Sequence, residues 1–284
     1  MSRLLVRYGM LFRFLLLHKL IRIIQPVGNI RITFTHGVNE SDIDNFTQLV
    51  QFLSKIRNII SPETFISNFC NGKIFDEKCL LMTFDDGLVS SYRAAKNVLE
   101  PLGIKAIFFI PTAVIKLNTD EEMRRFASEN IHYNSKSIDD LIPEEYQFMN
   151  IDHIADLISS GHMICPHTHN HVFLSDITNK DAVFRELVQP KNYLEDLFNT
   201  KIRAFAFPVG TEKQVSRFAY GYVKQYYECC FTAINGINYH KTNPHFLYRD
   251  HLSPEASISY IRMVMDGTYD LYYAMRMKKM KTIA

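Results

Sequence analysis

The chain has 284 residues, 47% of them hydrophobic, and a formal net charge of +2. That length suits one α/β domain with a sizeable core of its own. The near-neutral balance excludes a nucleic-acid binder that depends on neutralising phosphates.

In chain order, residues 1–28 come first. Leu4, Tyr8, Leu11, Phe12, Leu15, Leu16, Leu20, Ile23 and Ile24 recur there at helical spacing, among Arg3, Arg7, Arg13, Lys19 and Arg22. Arg13 breaks the apolar centre that a signal peptide or membrane span needs, and no Ala-x-Ala site follows. The expectation is a basic amphipathic helix, either packed on the fold or lying on an anionic membrane surface through residues 1–24.

Residues 29–284 read as one domain of alternating strands and helices, with no linker and no internal repeat. Arg31 to Val38 is strand-like. Residues 42–60 and 62–71 read as helices, and Cys79 to Phe84 is a continuous apolar strand. A helix over residues 89–99 and a strand over 105–110 complete a parallel βα unit. Residues 116–150 break the alternation with Asn118, Asp120, Glu121, Glu122, Asp139, Asp140, Glu144 and Glu145. This stretch follows a strand at the end of the fold where specificity is built, and the expectation is a helical insertion walling a substrate groove. A helix over 152–160 leads to a short apolar run, His162 to Pro166. Then come a helix over 181–198 interrupted at Pro190, a strand over 203–207, a helix over 212–225 and a strand over 228–233. A last helix spans 254–265, with Pro and Glu at its start, and the basic run Arg276 to Lys281 reads as a solvated tail.

Two strings carry the chemistry: Thr83-Phe84-Asp85-Asp86-Gly87, and His167-Thr168-His169-Asn170-His171. Each follows a short apolar run, so each sits at the mouth of a strand, where α/β folds bind ligands. Adjacent side chains on a straight strand face opposite ways. A turn at Gly87 lifts that restriction, leaving one carboxylate to bind a cation and the other to act as a base. A His/His/Asp set with an open position is how a protein holds a divalent ion that activates water. Zinc is the expected ion, with cobalt and nickel as alternatives.

With Phe205-Ala206-Phe207-Pro208-Val209-Gly210 added, the chain resembles the polysaccharide deacetylase family, carbohydrate esterase family 4, over roughly residues 30 to 270. The first motif matches at every position, the second by the spacing of His167 and His171, and the third only in its Pro-x-Gly end. The resemblance implies Asp86, His167 and His171 as metal ligands and Asp85 as the general base. It implies that the backbone N–H of Val209, where the family usually has Tyr, binds the oxyanion. His169, between the ligands, is read as a hydrogen-bonding loop residue.

Ala206 stands where many members carry an Arg that orients the base. Arg203, five residues before Pro208 on the same run, is a poor substitute, and another basic residue, such as Arg249, is an alternative filler. For the general acid, His251 lies near the C-terminal end, where many members keep it. Thr35-His36-Gly37-Val38 is similar instead to the N-terminal His segment of the circularly permuted poly-N-acetylglucosamine deacetylases, which favours His36. Imidazole suits that work because its ordinary pKa lies near operating pH.

The implied fold is a distorted (β/α) barrel of about seven parallel strands. The implied activity is removal of an N-acetyl group from a sugar. Cys70, Cys79, Cys165, Cys229 and Cys230 are odd in number and mostly in apolar runs, which reads as buried free thiols in a reducing compartment. The expected substrate is therefore a surface-glycan precursor, of O-antigen or capsule type, met in the cytoplasm or at the inner face of the membrane. Two alternatives stand beside it: deformylation of a lipid-linked amino sugar, and a non-catalytic sugar-binding protein, the latter motivated by Ala206.

Overall fold

The computed structural model describes residues 28–69 and 71–283. The expected N-terminal amphipathic segment, Gly28 apart, and Cys70 lie outside the described residues.

Strands β1 (Ile30–Thr35) and β3 (Cys79–Phe84) are buried at every position. A parallel strand covered on both faces reads as a near-continuous apolar run, which is how these appear in the sequence. Their parallel register runs from Ile30 beside Cys79 to Thr35 beside Phe84, so both end at one level. The short β2 (Asn58–Ile59) lies along the start of β3, and β4 (Ile107–Ile110) along its end. Strand β5 (Met163–Pro166) pairs with β4 residue for residue. On the other side β8 (Asp250–His251) pairs with β1.

Strands β6 (Ala204–Ala206) and β7 (Cys229–Phe231) form a separate parallel pair. An isolated bridge from Phe231 to Leu247 ties that pair to the chain leading into β8. β6 lies beside β5 without a ladder between them. Seven strands thus surround the interior in the order β5-β4-β3-β1-β8-β7-β6, with β2 flanking the ring. The barrel expected from the sequence is present, split along the β5–β6 seam.

Alternation along the strands divides the core in two. Ile30, Ile32, Leu81, Ile107, Phe109, Ala204 and Phe231 fill the interior, and Phe65, Ile66 and Phe69 join them from the helix Pro62–Phe69. Leu80, Met82, Phe84, Phe108 and Ile110 face the surrounding helices. Each fully buried large apolar side chain contributes roughly 1.5–3 kcal/mol.

Those helices are α1 (Ile43–Ile56), α2 (Pro62–Phe69), α3 (Val89–Ala94), α4 (Asp120–Phe126), α5 (Pro143–Tyr146), α6 (Ile151–Ser159), α7 (Lys180–Val183), α8 (Gln189–Phe198), α9 (Arg217–Tyr226), α10 (Ile258–Met265) and α11 (Asp270–Lys281). Four expectations need correction. The first helix stops at Ile56 rather than residue 60. Arg57 is extended there, and its buried guanidinium bonds Asn29, the Cys79 carbonyl and the Met265 carbonyl. The helix expected from residue 254 begins at Ile258, where the Ser257 side chain caps it; the interruption expected at Pro190 is present, a wide turn over Phe184–Val188 parting α7 from α8, with Pro190 in the first turn of α8 where a missing N–H costs little. Helix α9 begins at Arg217 rather than 212, where the Ser216 side chain caps it. The basic C-terminal run is not a free tail but the end of α11. That helix is anchored by Asp270 on the buried Arg31, at 2.9 and 2.7 Å, and by the buried Met280. No described helix is long and apolar enough to cross a membrane.

Candidate active site

The parallel register places residues 36, 85 and 167, each the first after a strand, at one end of the barrel. After β3 the chain turns sharply. Asp86 (φ 70°) and Gly87 (φ 71°) are both left-handed. A Cβ on Gly87 would meet Ile110 Cγ2 at 2.8 Å, so the turn requires glycine. Asp86, Thr168, His171 and Val209 are all non-glycine residues at positive φ, and Asp86, His171 and Val209 line one cavity. Such conformations cost roughly 1–3 kcal/mol each and persist where the surroundings enforce them.

Asp86, His167 and His171 are buried and offer one ligand atom each, all within 4.8 Å of one another. Asp86 Oδ1 lies 3.7 Å from His167 Nε2 and 3.3 Å from His171 Nε2. Both outer ring nitrogens are committed to carbonyls, which can only accept. His167 Nδ1 donates to the Ala206 carbonyl and His171 Nδ1 to the Asn130 carbonyl, each at 2.8 Å. Neutral rings therefore keep their Nε2 lone pairs for the centre of the site. Asp86 Oδ1 is buried and has no hydrogen-bond partner. An orphaned carboxylate oxygen facing two imidazole lone pairs fits a divalent cation and little else.

Burial raises and the nearby imidazoles lower the Asp86 pKa, and the imidazoles win, so its carboxyl is held well below the usual range. His167 is pushed down to about 4, chiefly by burial. His171 is opposed by burial but raised on balance by Asp86.

Asp85 is held differently. Arg249, with no exposed surface, grips it with both ends of its guanidinium, Nη1 to Oδ1 at 2.7 Å and Nη2 to Oδ2 at 2.8 Å. Arg249 is fixed in turn by its Nε–H to the Thr232 carbonyl at 2.7 Å and by the Phe34 ring 4.6 Å beneath it. Burial alone would raise the Asp85 pKa; the Arg249 charge outweighs it, and the carboxylate is held ionised. A guanidinium contact to Asp85 that Ala206 cannot make is thus supplied from the segment entering β8. Arg203, by contrast, pairs with Glu228 at 2.7 Å.

A cavity of about 520 Å³ opens over these groups, within the usual range for small-molecule sites. His36 and Val209 line it; His251 does not. His251 neighbours His36, their ring centres 5.7 Å apart, and burial lowers its pKa. The Val209 N–H donates to no acceptor among the described residues. His169 bonds Thr112 Oγ1 at 2.8 Å, as expected of a loop residue. Burial raises the Cys165 thiol to about 12, which makes it inert.

The 116–150 insertion reaches this site. After α4 a wide turn, Ala127–Ile131, presents the Asn130 carbonyl to His171, and Tyr133 Oη lies 3.1 Å from His171 Nδ1 and 3.2 Å from its carbonyl. Ile131, His132, Glu144 and Glu145 line the cavity. The sequence named Glu144 and Glu145 only as members of the polar stretch and Ile131 and His132 not at all, because such a stretch gives no sign of which of its residues turns inward.

The family described as polysaccharide deacetylase matches residues 72–223, more than half the chain. The Bacillus subtilis (strain 168) protein YxkH, whose name assigns it provisionally to the polysaccharide deacetylases, is 41% identical over 68 residues. That match covers 23% of this chain and 24% of the relative, so the chain spans only about a quarter of that protein. Among solved structures, the Streptococcus pyogenes deacetylase PplD in complex with acetate is similar at a TM-score of 0.65. It is 19% identical, covering 84% of this chain and 99% of that one. IcaB from Ammonifex degensii matches at a TM-score of 0.65 and 18% identity, over 85% and 98% of the two chains.

Proposed function

The chain belongs to the polysaccharide deacetylase family, and on that premise we propose that it hydrolyses the N-acetyl amide of an amino sugar in a surface-glycan precursor. The observation that carries this reading is the Asp86–His167–His171 set beside an Arg249-held Asp85 in one cavity. A divalent cation held by Asp86 Oδ1 and the two Nε2 atoms, zinc by preference for this donor set, would polarise the acyl carbonyl and make water acidic at neutral pH.

The chain's own residues supply the rest. Asp85, ionised and fixed by Arg249, takes a proton from the attacking water. The Val209 N–H donates to the carbonyl oxygen as it gains negative charge. His36, which lines the cavity, gives a proton to the nitrogen as the C–N bond breaks. Acetate and a free amine result. His36 is preferred over His251 as the acid because only His36 borders the cavity. The non-catalytic alternative rested on Ala206, and Arg249 removes that ground.

A precursor of O-antigen or capsule type, met in the cytoplasm or at the inner membrane face, is supported by the buried Cys79 and Cys165, which form no disulfide among the described residues, and by the basic apolar spacing of residues 1–24. The test begins with metal content by mass spectrometry, beside His167→Ala prepared identically, followed by acetate release from N-acetylglucosamine oligosaccharides. One divalent ion per chain, lost in the variant along with acetate release, is expected. A wild-type protein that takes up no zinc, cobalt or nickel sinks the reading.

A further inference from the structure

We propose that Glu144 and His132, both carried by the 116–150 insertion, are specificity-determining residues of the cavity. They select uncharged or amine-bearing amino-sugar chains and turn away carboxylate-bearing ones. The inference rests on the reading of the chain as an amino-sugar deacetylase and adds the charge class of its substrate.

The argument starts from the carboxylates that line the cavity, which are Asp85, Asp86, Glu144 and Glu145. Asp85 is neutralised by Arg249. Asp86 faces the two imidazoles that complete the cation site. Glu145 is paired with Lys136 and also accepts from the Ile142 N–H at 3.2 Å. Glu144 differs: its carboxylate makes no hydrogen bond or ion pair among the described residues, and only its backbone carbonyl is used, by Ser90 Oγ. An uncompensated negative charge on the wall of a half-enclosed site repels an anionic glycan at close range. It also accepts hydrogen bonds from sugar hydroxyls or from the ammonium of an already deacetylated neighbour.

His132 supplies the complementary group. His132 lines the cavity, and its Nε2 is buried with no hydrogen-bond partner among the described residues. Burial lowers its pKa, so the ring is neutral and its unused nitrogen is available to a hydroxyl. A buried polar atom without a partner is costly, and a ligand that pairs with it recovers that cost. A pure acceptor and a neutral imidazole on one wall match hydroxyl groups, which both donate and accept.

The test uses the zinc-loaded full chain carrying Asp85→Asn, which stops turnover and leaves an amide oxygen to accept from Arg249, with KM for the trimers and inhibition by the hyaluronan fragment in the otherwise wild-type chain as the second measurement. Calorimetry measures binding of an N-acetylglucosamine trimer, a trimer with one free amine, and a hyaluronan tetrasaccharide, which alternates N-acetylglucosamine with a uronate. The expected result is that both trimers bind at least tenfold more tightly than the hyaluronan fragment. Adding Glu144→Gln should shrink that ratio to within about threefold, and adding His132→Ala should weaken all three ligands about tenfold. In the otherwise wild-type chain, His132→Ala should act mainly on KM, with kcat and zinc content largely kept and His132→Gln partly restoring KM. Equal affinity for hyaluronan and the trimers, or a ratio untouched by Glu144→Gln, overturns the proposal while leaving the deacetylase reading intact. If wild-type protein releases no acetate and the Asp85→Asn chain binds no trimer, both fall together.

Discussion

At the scale of residues, the site is a set of paired dependencies, and Arg249 carries the heaviest. It is wholly buried, so its charge is tolerable only because Asp85 faces it in a two-pronged pair and Thr232 takes a further bond. Truncation to Met would strand the buried Asp85 carboxylate and should cost about 3–5 kcal/mol of stability by the usual range for breaking one side of a buried pair. Lysine keeps the charge but not the planar fork. Arg249→Lys should therefore fold, bind zinc and lower kcat by about 10- to 100-fold, because the base is no longer aimed. Steady-state kinetics beside metal content reads this directly. An Arg249→Lys protein with full kcat would show that Asp85 needs no such orientation.

At the scale of elements, the insertion is part of the candidate metal site as much as a wall around it. The widened turn after α4 delivers the Asn130 carbonyl to His171 Nδ1, and Tyr133 adds its hydroxyl to the same ring while its own ring packs 4.5 Å from Phe173. Outer partners of a metal-binding His commonly tune affinity by about 10- to 100-fold. Because the Asn130 carbonyl remains, Tyr133→Phe should weaken zinc binding by roughly tenfold, the lower end of that range, as read by competition with a chromogenic chelator. Unchanged affinity would mean that the hydroxyl serves the backbone of His171 and not its ring. This dependence was invisible in the sequence. Asp85, Asp86, His167 and His171 were legible because each follows an apolar strand at a spacing with chemical meaning. Asn130 acts through a carbonyl, which any residue could supply, and Tyr133 through a contact 38 positions away. Arg249 was legible only as a vacancy at Ala206 with several possible fillers. The C-terminal helix was misread because the basic residues Arg276, Lys278, Lys279 and Lys281 mask the helical spacing of Tyr273, Met277 and Met280, which pack on the core.

At the scale of the molecule, the alternation of strands and helices and the end that carries the motifs followed from apolar runs and their spacing, and the barrel from the family resemblance, while the strand order and the seam between β5 and β6 did not. That seam arises where no ladder joins two strands, and ladders are not written in residue types. The whole fold also inherits a pH dependence from groups remote from the site. His162, at the start of β5, accepts the Ala106 N–H on Nδ1 at 3.1 Å and packs edge-on against Phe108. Burial pushes its pKa down to about 4, with Lys105 adding to the shift and Glu100 opposing it. The sign follows from linkage. An unfolded chain binds this proton below about pH 6.5, whereas the folded chain refuses it until about 4. The stabilisation from neutral His162 is thus complete above about pH 6.5 and is lost as pH falls toward 4, by at most about 3 kcal/mol. His162→Asn keeps an acceptor for the Ala106 N–H but cannot take a charge. The variant should be less stable at pH 7.5, for want of the ring, yet its urea midpoint should fall less than that of the wild type between pH 7 and pH 5. His167 titrates alike in both proteins and cancels in the comparison. Parallel falls in the two midpoints would place the acid sensitivity elsewhere, because no other group differs between them.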